Sequence, residues 1–133
     1  MFPLSELRSA VGDPDQVRDR ELDRHALAHD ASHFLLLPAA VATPRDAGEV
    51  AGLLQASARH GVPLTFRSGG TSLSGQAVTD GLLVDVRKHF KAVEVLDDGA
   101  RVRVQPGVTV RQLNARLAPY GRKFGPDPAS EAA

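Results

Sequence analysis

The chain has 133 residues, of which 42% are hydrophobic and 24% charged, a profile typical of one soluble globular domain. Its 16 basic and 16 acidic side chains balance, so no net field favours nucleic acid or an anionic membrane. The absence of cysteine excludes disulfides, thiolate catalysis and thiolate metal sites. The longest apolar run, 34–42, is interrupted by Pro38 and is too short for a membrane span. With no signal-peptide pattern at the N-terminus, we expect a cytoplasmic protein.

Residues 1–33 are predicted to form an N-terminal helical segment. Polar and charged residues with scattered Leu and Val indicate short helices over 5–11 and 21–29. His25 and His29 are four residues apart and could share a helix face, a spacing that can bind a metal. A solvated helix face explains the pair more simply, so we predict no metal site.

A strand–helix–strand unit follows. Residues 38–42 and 62–66 are short apolar runs typical of strands, and apolar residues between them recur at helical spacing. The predicted apolar stripe consists of Ala47, Val50, Ala51, Leu54 and Ala58. Thr43 suits the helix N-cap, with Pro44 at the first helical position and Asp46 at the reciprocal capping position. Gly61 is predicted to end the helix.

The last third of the chain adds a strand, a hairpin and a helix. An apolar strand is predicted over 82–86, and alternating residues over 91–96 and 101–105 flank an Asp-Asp-Gly-Ala turn. Thr109 and Gln112 form a capping box ahead of another helix. The fold class is therefore α+β, with a mixed sheet and flanking helices.

A glycine-rich segment directly after the second strand carries the chemistry: Arg67-Ser68-Gly69-Gly70-Thr71-Ser72-Leu73-Ser74-Gly75-Gln76. Its glycines permit positive φ and a close approach by a ligand, and consecutive N–H groups in such turns bind anions. The hydroxyl groups add donors, and Arg67 adds charge or pairs with a nearby acid. A diphosphate suits such a site, whereas a tight surface loop between two strands is the alternative interpretation. No lysine follows a glycine and no long helix follows the loop, so common nucleotide fingerprints are absent.

The segment FRSGGTSLSGQA resembles the pyrophosphate loop of FAD-dependent oxidases and dehydrogenases of the vanillyl-alcohol oxidase and p-cresol methylhydroxylase (PCMH) type. The branch with D-lactate dehydrogenase and the glycolate oxidase flavin subunit is most similar. Three further segments resemble the family in the same order: DASHFLLLPAAVATPRDAGEV, GLLVDVRK and VRVQPGVTVRQLNARLAPYGRKFGPDPAS. The resemblance covers roughly residues 28–133. It implies that residues 34–133 form the N-terminal part of a PCMH-type FAD-binding domain, which we expect to be incomplete at its C-terminus.

The resemblance also implies roles for individual residues. The predicted cofactor-binding residues are Arg67, Ser68, Gly69, Gly70, Thr71, Ser72, Gly75, Gln76, Pro126 and Asp127. The residues from Ser68 to Ser72 would hold the FAD diphosphate, and the Pro126-Asp127 segment would approach the flavin. Some family members attach flavin through a histidine at the position of Thr71, so non-covalent FAD is implied here.

The implied activity of the complete protein is oxidation of a small-molecule 2-hydroxy acid, of the D-lactate or glycolate type, to a 2-oxo acid. No catalytic residue is assigned to this chain, which alone is expected to have little turnover. An electron-acceptor protein or an iron–sulfur region would lie outside it. The alternatives are a truncated, non-catalytic module that binds FAD or another diphosphate, an inert fragment, and an enzyme that uses the loop for another nucleotide.

Overall fold

A four-stranded mixed sheet forms the centre of the protein in the computed structural model, which describes residues 1–130. The strands are β1 (Val17–Arg18), β2 (Ala40–Ala42), β3 (Leu64–Arg67) and β4 (Leu82–Asp85). Their order is β1-β2-β4-β3, in which β2, β4 and β3 are parallel and β1 is antiparallel to β2. The predicted mixed sheet is confirmed, although β1 was not among the predicted strands.

Four helices accompany this sheet: α1 (Leu4–Ser9), α2 (Glu21–Ala26), α3 (Ala47–His60) and α4 (Val110–Leu117). Helix α1 packs against α3 and β1, α2 lies against β2, and α4 lies against the hairpin described below. The buried core cluster consists of Leu7, Val11, Val17, Ala40, Ala42, Leu53, Ala56, Leu82, Val84 and Val86. Three of these ten residues precede residue 34, so the N-terminal segment packs into the same core as the parallel strands.

The predicted hairpin forms a separate two-stranded antiparallel sheet of β5 (Val93–Leu96) and β6 (Arg101–Val104). Gly107 joins it closely to the residues that follow β4. Its N–H donates to the Phe90 carbonyl at 2.8 Å, and a Cβ at Gly107 would lie 2.5 Å from that same oxygen. The predicted capping box of Thr109 and Gln112 begins α4, as expected.

The predicted start of α3 is wrong by three residues. Asp46, not Thr43, is the N-cap, and its side chain accepts the Glu49 N–H at 2.9 Å. Thr43 is buried and pairs with the N-terminal segment: its N–H donates to the Gln16 carbonyl at 2.9 Å, and its own carbonyl accepts the Gln16 amide at 3.0 Å. This long-range pairing keeps the backbone extended beyond β2, so the helix begins later in the chain than predicted. Gly61 ends the helix with φ 62°, as predicted.

The buried face of α3 also differs from the predicted stripe. Leu53, Ala56 and Ser57 are the buried residues of the helix, whereas Leu54 remains 44% exposed. Gly52 explains the rotation, because it lies against the end of α1 and a Cβ there would be 2.8 Å from the Ala10 carbonyl oxygen. The helix therefore turns Gly52, rather than the predicted apolar stripe, towards α1.

The second N-terminal helix is shorter than the predicted 21–29. It ends at Ala26, and His29 instead forms an isolated bridge with Leu35. His25 and His29 therefore do not share a helix face. Within residues 1–130 no three side chains of His, Cys, Asp or Glu come together as a metal site would require.

Glu49 joins the N-terminal segment to α3 through both carboxylate oxygens. Oε1 accepts the Gly12 N–H at 2.9 Å, and Oε2 accepts the Arg45 N–H at 2.7 Å and the Gln16 amide at 2.6 Å. Burial alone raises the pKa of Glu49, but these donors outweigh it and the net pKa lies below the ordinary value of 4.5. The charged carboxylate is thus the form that the fold binds.

We expect Glu49→Gln to lower the free energy of unfolding by about 1–3 kcal/mol. Glutamine keeps one acceptor but turns an amide donor towards other donors. Because the folded pKa is depressed, the contribution of Glu49 is full above pH 4.5 and is lost as pH falls through the lower folded value. Urea titrations across this range measure both effects. Glu21→Gln, at an exposed position in the first turn of α2, is the control; equal losses in the two variants would contradict the prediction.

Candidate functional site

The glycine-rich loop begins at the carboxyl end of the parallel strands. Arg67 is the last residue of β3, and its carbonyl accepts the Val86 N–H at 2.9 Å just beyond β4. The chain then runs from Ser68 to Gly81 before it re-enters the sheet as β4. Open sheets with parallel strands bind ligands beyond the carboxyl ends of their strands, which is where this loop lies.

The loop presents a series of backbone donors that no protein acceptor uses. Within residues 1–130, the N–H groups of 68–73 and of Gly75 make no hydrogen bond. Gly70 and Gly75 have φ values of 67° and 77°, a conformation that favours glycine. The Ser72 hydroxyl accepts the N–H groups of Ser74 and Gln76 at 3.3 and 3.1 Å. These contacts shape the turn and leave the remaining donors available to an anion.

Arg67 binds backbone carbonyls rather than an acid. Its Nη1 donates to the carbonyls of His29 at 2.8 Å and Leu27 at 3.3 Å. The guanidinium lies against Gly70, where a Cβ would be 2.6 Å from the Arg67 Cζ. Arg67 therefore ties the start of the loop to the N-terminal segment, and Gly70 leaves the space that its side chain needs.

The other predicted side chains of the loop have different surroundings. The Ser68 hydroxyl donates to the Pro106 carbonyl at 2.8 Å, which joins the loop to the turn after β6. Thr71 and Gln76 are exposed, and their side chains have no hydrogen-bond partner in the part of the chain that the structure describes. Thr71 thus has a hydroxyl available for a ligand, whereas the hydroxyl of Ser68 already donates its proton to the Pro106 carbonyl.

Pro126 and Asp127 are exposed in the segment after α4. The Asp127 carboxylate lies 3.9 Å from the Lys123 amine, and the nearby Phe124 N–H donates to the Asn114 side chain at 2.9 Å. Among residues 1–130 no hydrogen bond or ion pair joins Pro126 or Asp127 to the glycine-rich loop. Their place near a flavin remains a prediction.

The structure adds site residues that the sequence pattern did not single out. Residues 27–34, here called the clamp segment, contact the loop along its length. Asp30 Oδ2 accepts the Ala77 N–H at 3.2 Å, the Ala31 N–H donates to the Gly70 carbonyl at 3.1 Å, and Phe34 packs against Gly75. The Asp-x-Ser pattern of Asp30 and Ser32 is typical of an Asx turn, but it does not show which distant residue the turn contacts.

The clamp carboxylate is held in its charged form. The hydrogen bond from the Ser32 hydroxyl, with the N–H groups of Ser32 and Ala77, outweighs desolvation and holds the pKa of Asp30 below its ordinary value. The loop itself offers mostly neutral donors, because the charge of Arg67 already faces carbonyl groups. An anion here would be bound chiefly by directed N–H and O–H groups.

A comparison with known protein families identifies the loop's context. The model of the FAD-binding domain matches residues 38–133, which includes the sheet from β2 onwards and the whole glycine-rich loop. This chain belongs to the FAD-binding domain family. The resemblance to PCMH-type flavoproteins that the sequence motifs indicate is thereby confirmed.

Curated relatives of this FAD-binding domain are much longer proteins. The chain is 39% identical over 128 residues to a D-2-hydroxyglutarate dehydrogenase of Pseudomonas putida, covering 93% of the chain and 13% of the relative. It is 31% identical over 123 residues to glycolate oxidase subunit GlcD of Bacillus subtilis, covering 90% of the chain and 26% of the relative. The chain thus spans a small part of the relatives that it matches.

Solved structures share the fold of this FAD-binding domain. An alkyldihydroxyacetonephosphate synthase superposes with a TM-score of 0.80 at 22% identity, covering 98% of this chain and 27% of that one. A p-cresol methylhydroxylase superposes with a TM-score of 0.73 at 18% identity, covering 89% and 24%. At such identities the similarity establishes the fold alone. No helix within residues 1–130 is both long and apolar enough to cross a bilayer.

We expect Gly70→Ala to destabilise the domain more than Gly61→Ala does. Both positions have positive φ, 67° and 62°, so each variant carries a backbone strain of about 1 kcal/mol. Only at Gly70 does the added Cβ overlap another group, the Arg67 guanidinium; at Gly61 nothing lies within 4 Å. Urea denaturation measures the difference. Equal losses of stability would show that the contact between Arg67 and Gly70 does not constrain the loop.

Proposed function

We propose that this domain holds FAD by its diphosphate on the glycine-rich loop, and that the complete protein oxidises a 2-hydroxy acid to a 2-oxo acid. The observation that supports the binding mode is the series of N–H groups at 68–73 and Gly75 without an acceptor within residues 1–130. A diphosphate has many acceptor oxygens and suits many small donors. The hydroxyl of Thr71 adds to this set.

The proposed roles follow the order of the loop. The residues from Ser68 to Ser72, with Gly75, hold the diphosphate, and Gln76 lies on the cofactor side. Arg67 acts by fixing the loop through its contacts with Leu27 and His29. The segment with Pro126 and Asp127 approaches the flavin. When bound, the flavin supplies the hydride-accepting chemistry.

The substrate class rests on the relatives, whose names refer to D-2-hydroxyglutarate and to glycolate, both 2-hydroxy acids. The chain covers 13% and 26% of these proteins, so we assign neither the catalytic base nor a substrate-binding residue to it. Electrons would pass from the flavin to an acceptor protein or an iron–sulfur region outside residues 1–133. We place this chemistry in the cytoplasm.

We expect the flavin to be bound without a covalent bond at this loop, because the hydroxyl of Thr71 is a poor equivalent of an attacking imidazole. Acid precipitation of the purified flavoprotein, followed by absorbance of the supernatant, should recover all of the FAD. Thr71→Val, which removes the hydroxyl and keeps the shape, should weaken binding without changing this recovery. Flavin that remains with the pellet would contradict the non-covalent mode.

In the complete protein, we expect anaerobic addition of a 2-hydroxy acid to bleach the visible absorbance of the flavin. Glycolate, D-lactate and D-2-hydroxyglutarate form the test panel, and L-lactate and L-2-hydroxyglutarate are the controls. FAD binding without bleaching by any member would favour the non-catalytic module over the oxidoreductase. Displacement of FAD by equal concentrations of ATP would instead indicate a site for another nucleotide.

A further inference from the structure

We propose that Asp30 is a positioning residue of the cofactor site, whose carboxylate fixes the far end of the glycine-rich loop so that its N–H groups stay available. The inference rests on the proposed function of that loop. It concerns a residue 37 positions before the loop begins, and within residues 1–130 its hydrogen bond to this region is the one from the N–H of Ala77.

Both oxygens of the Asp30 carboxylate are engaged. Oδ1 accepts the Ser32 N–H at 2.9 Å, and Oδ2 accepts the Ala77 N–H at 3.2 Å. The Ser32 hydroxyl oxygen accepts the Phe34 N–H at 3.1 Å, which fixes the same turn. The carboxylate is therefore held in place by its own turn before it reaches the loop.

The clamp segment contacts the loop on either side of the free donors at 71–73 and Gly75. The Ala31 N–H donates to the Gly70 carbonyl at 3.1 Å, while Asp30 binds the N–H of Ala77. Between these two points lie Thr71 to Gly75, most of whose N–H groups have no acceptor within residues 1–130. Two fixed ends allow the intervening backbone to keep a shape in which its donors are not used internally.

The charge of Asp30 indicates a role in geometry rather than in direct binding. A carboxylate repels a diphosphate, so placing one at the edge of an anion site is unfavourable unless it contributes in another way. A neutral asparagine would not replace it, because its amide would turn N–H donors towards the donor of Ala77 or of Ser32. The two N–H donors at Asp30 require an acceptor oxygen on both of its branches.

The test is Asp30→Asn in the full chain, with Asp46→Asn as the matched control. Asp46 also accepts one backbone N–H, from Glu49 at 2.9 Å, but it caps α3. Two quantities are measured: amide hydrogen exchange at Ala77 and 70–75, and the dissociation constant of FAD from its fluorescence. We expect Asp30→Asn to raise the exchange rate at Ala77 and to weaken FAD binding about tenfold. Asp46→Asn should change neither, because asparagine keeps the acceptor that caps α3.

Unchanged exchange at Ala77 and unchanged FAD affinity in Asp30→Asn would overturn the proposal. So would equal losses of affinity in the two variants, since these would reflect stability alone. If Asp30→Asn does not fold, Ser32→Ala removes the hydroxyl that accepts the Phe34 N–H in the turn holding Asp30, and it should shift both quantities less but in the same direction; no shift there would overturn the proposal. If the unsubstituted protein does not bind FAD, the proposed function is wrong, and exchange at Ala77 still decides whether Asp30 fixes the loop.

Discussion

The guanidinium of Arg67 binds the carbonyls of Leu27 and His29, and the conformation of the whole loop depends on that contact. The side chain can reach these oxygens only because Gly70 leaves its space empty. Gly70 in turn presents its carbonyl to Ala31. These contacts link the sheet, the loop and the clamp segment to one another. The Arg67 cation binds backbone carbonyls of the protein, and the neutral N–H groups of the loop remain available to a ligand. This division suits a diphosphate, which many directed N–H groups can bind without a dedicated positive charge.

The sequence predicted local structure correctly where all the interacting residues lie within a few positions of one another. The αL glycine at Gly61, the capping box of Thr109 and Gln112, and the hairpin turn all involve short-range bonds, and all appear as predicted. The prediction was wrong where contact with a segment distant in sequence determines the backbone conformation. Thr43 has good N-cap chemistry, but pairing with Gln16 keeps it in an extended conformation. The two residues of β1 carry too short a pattern to be recognised before β2 is in place.

The same distinction applies to the site. Glycine and hydroxyl content at 67–76 indicated an anion site, and family resemblance specified the cofactor. Which side chains face a ligand could not be read from the pattern, because Arg67 and Ser68 bond to carbonyls that are distant in sequence. The contribution of Asp30 was equally hidden, since its partner Ala77 is 47 residues away. Local composition identifies the donors, and tertiary contacts determine which of them are free.

The strand order has a consequence for how the protein folds. Helix α3 joins β2 to β3, yet these strands never pair with each other, because β4 lies between them. The pairs β2–β4 and β4–β3 can form only after residues 68–81 have returned the chain across the sheet and placed β4 between β2 and β3. The connection is therefore both the proposed cofactor loop and the crossover that sheet assembly requires. Parallel pairing of this kind is slow because loop closure precedes any gain from contacts. A substitution in this loop can therefore change the yield of folded chains as well as the proposed binding of flavin.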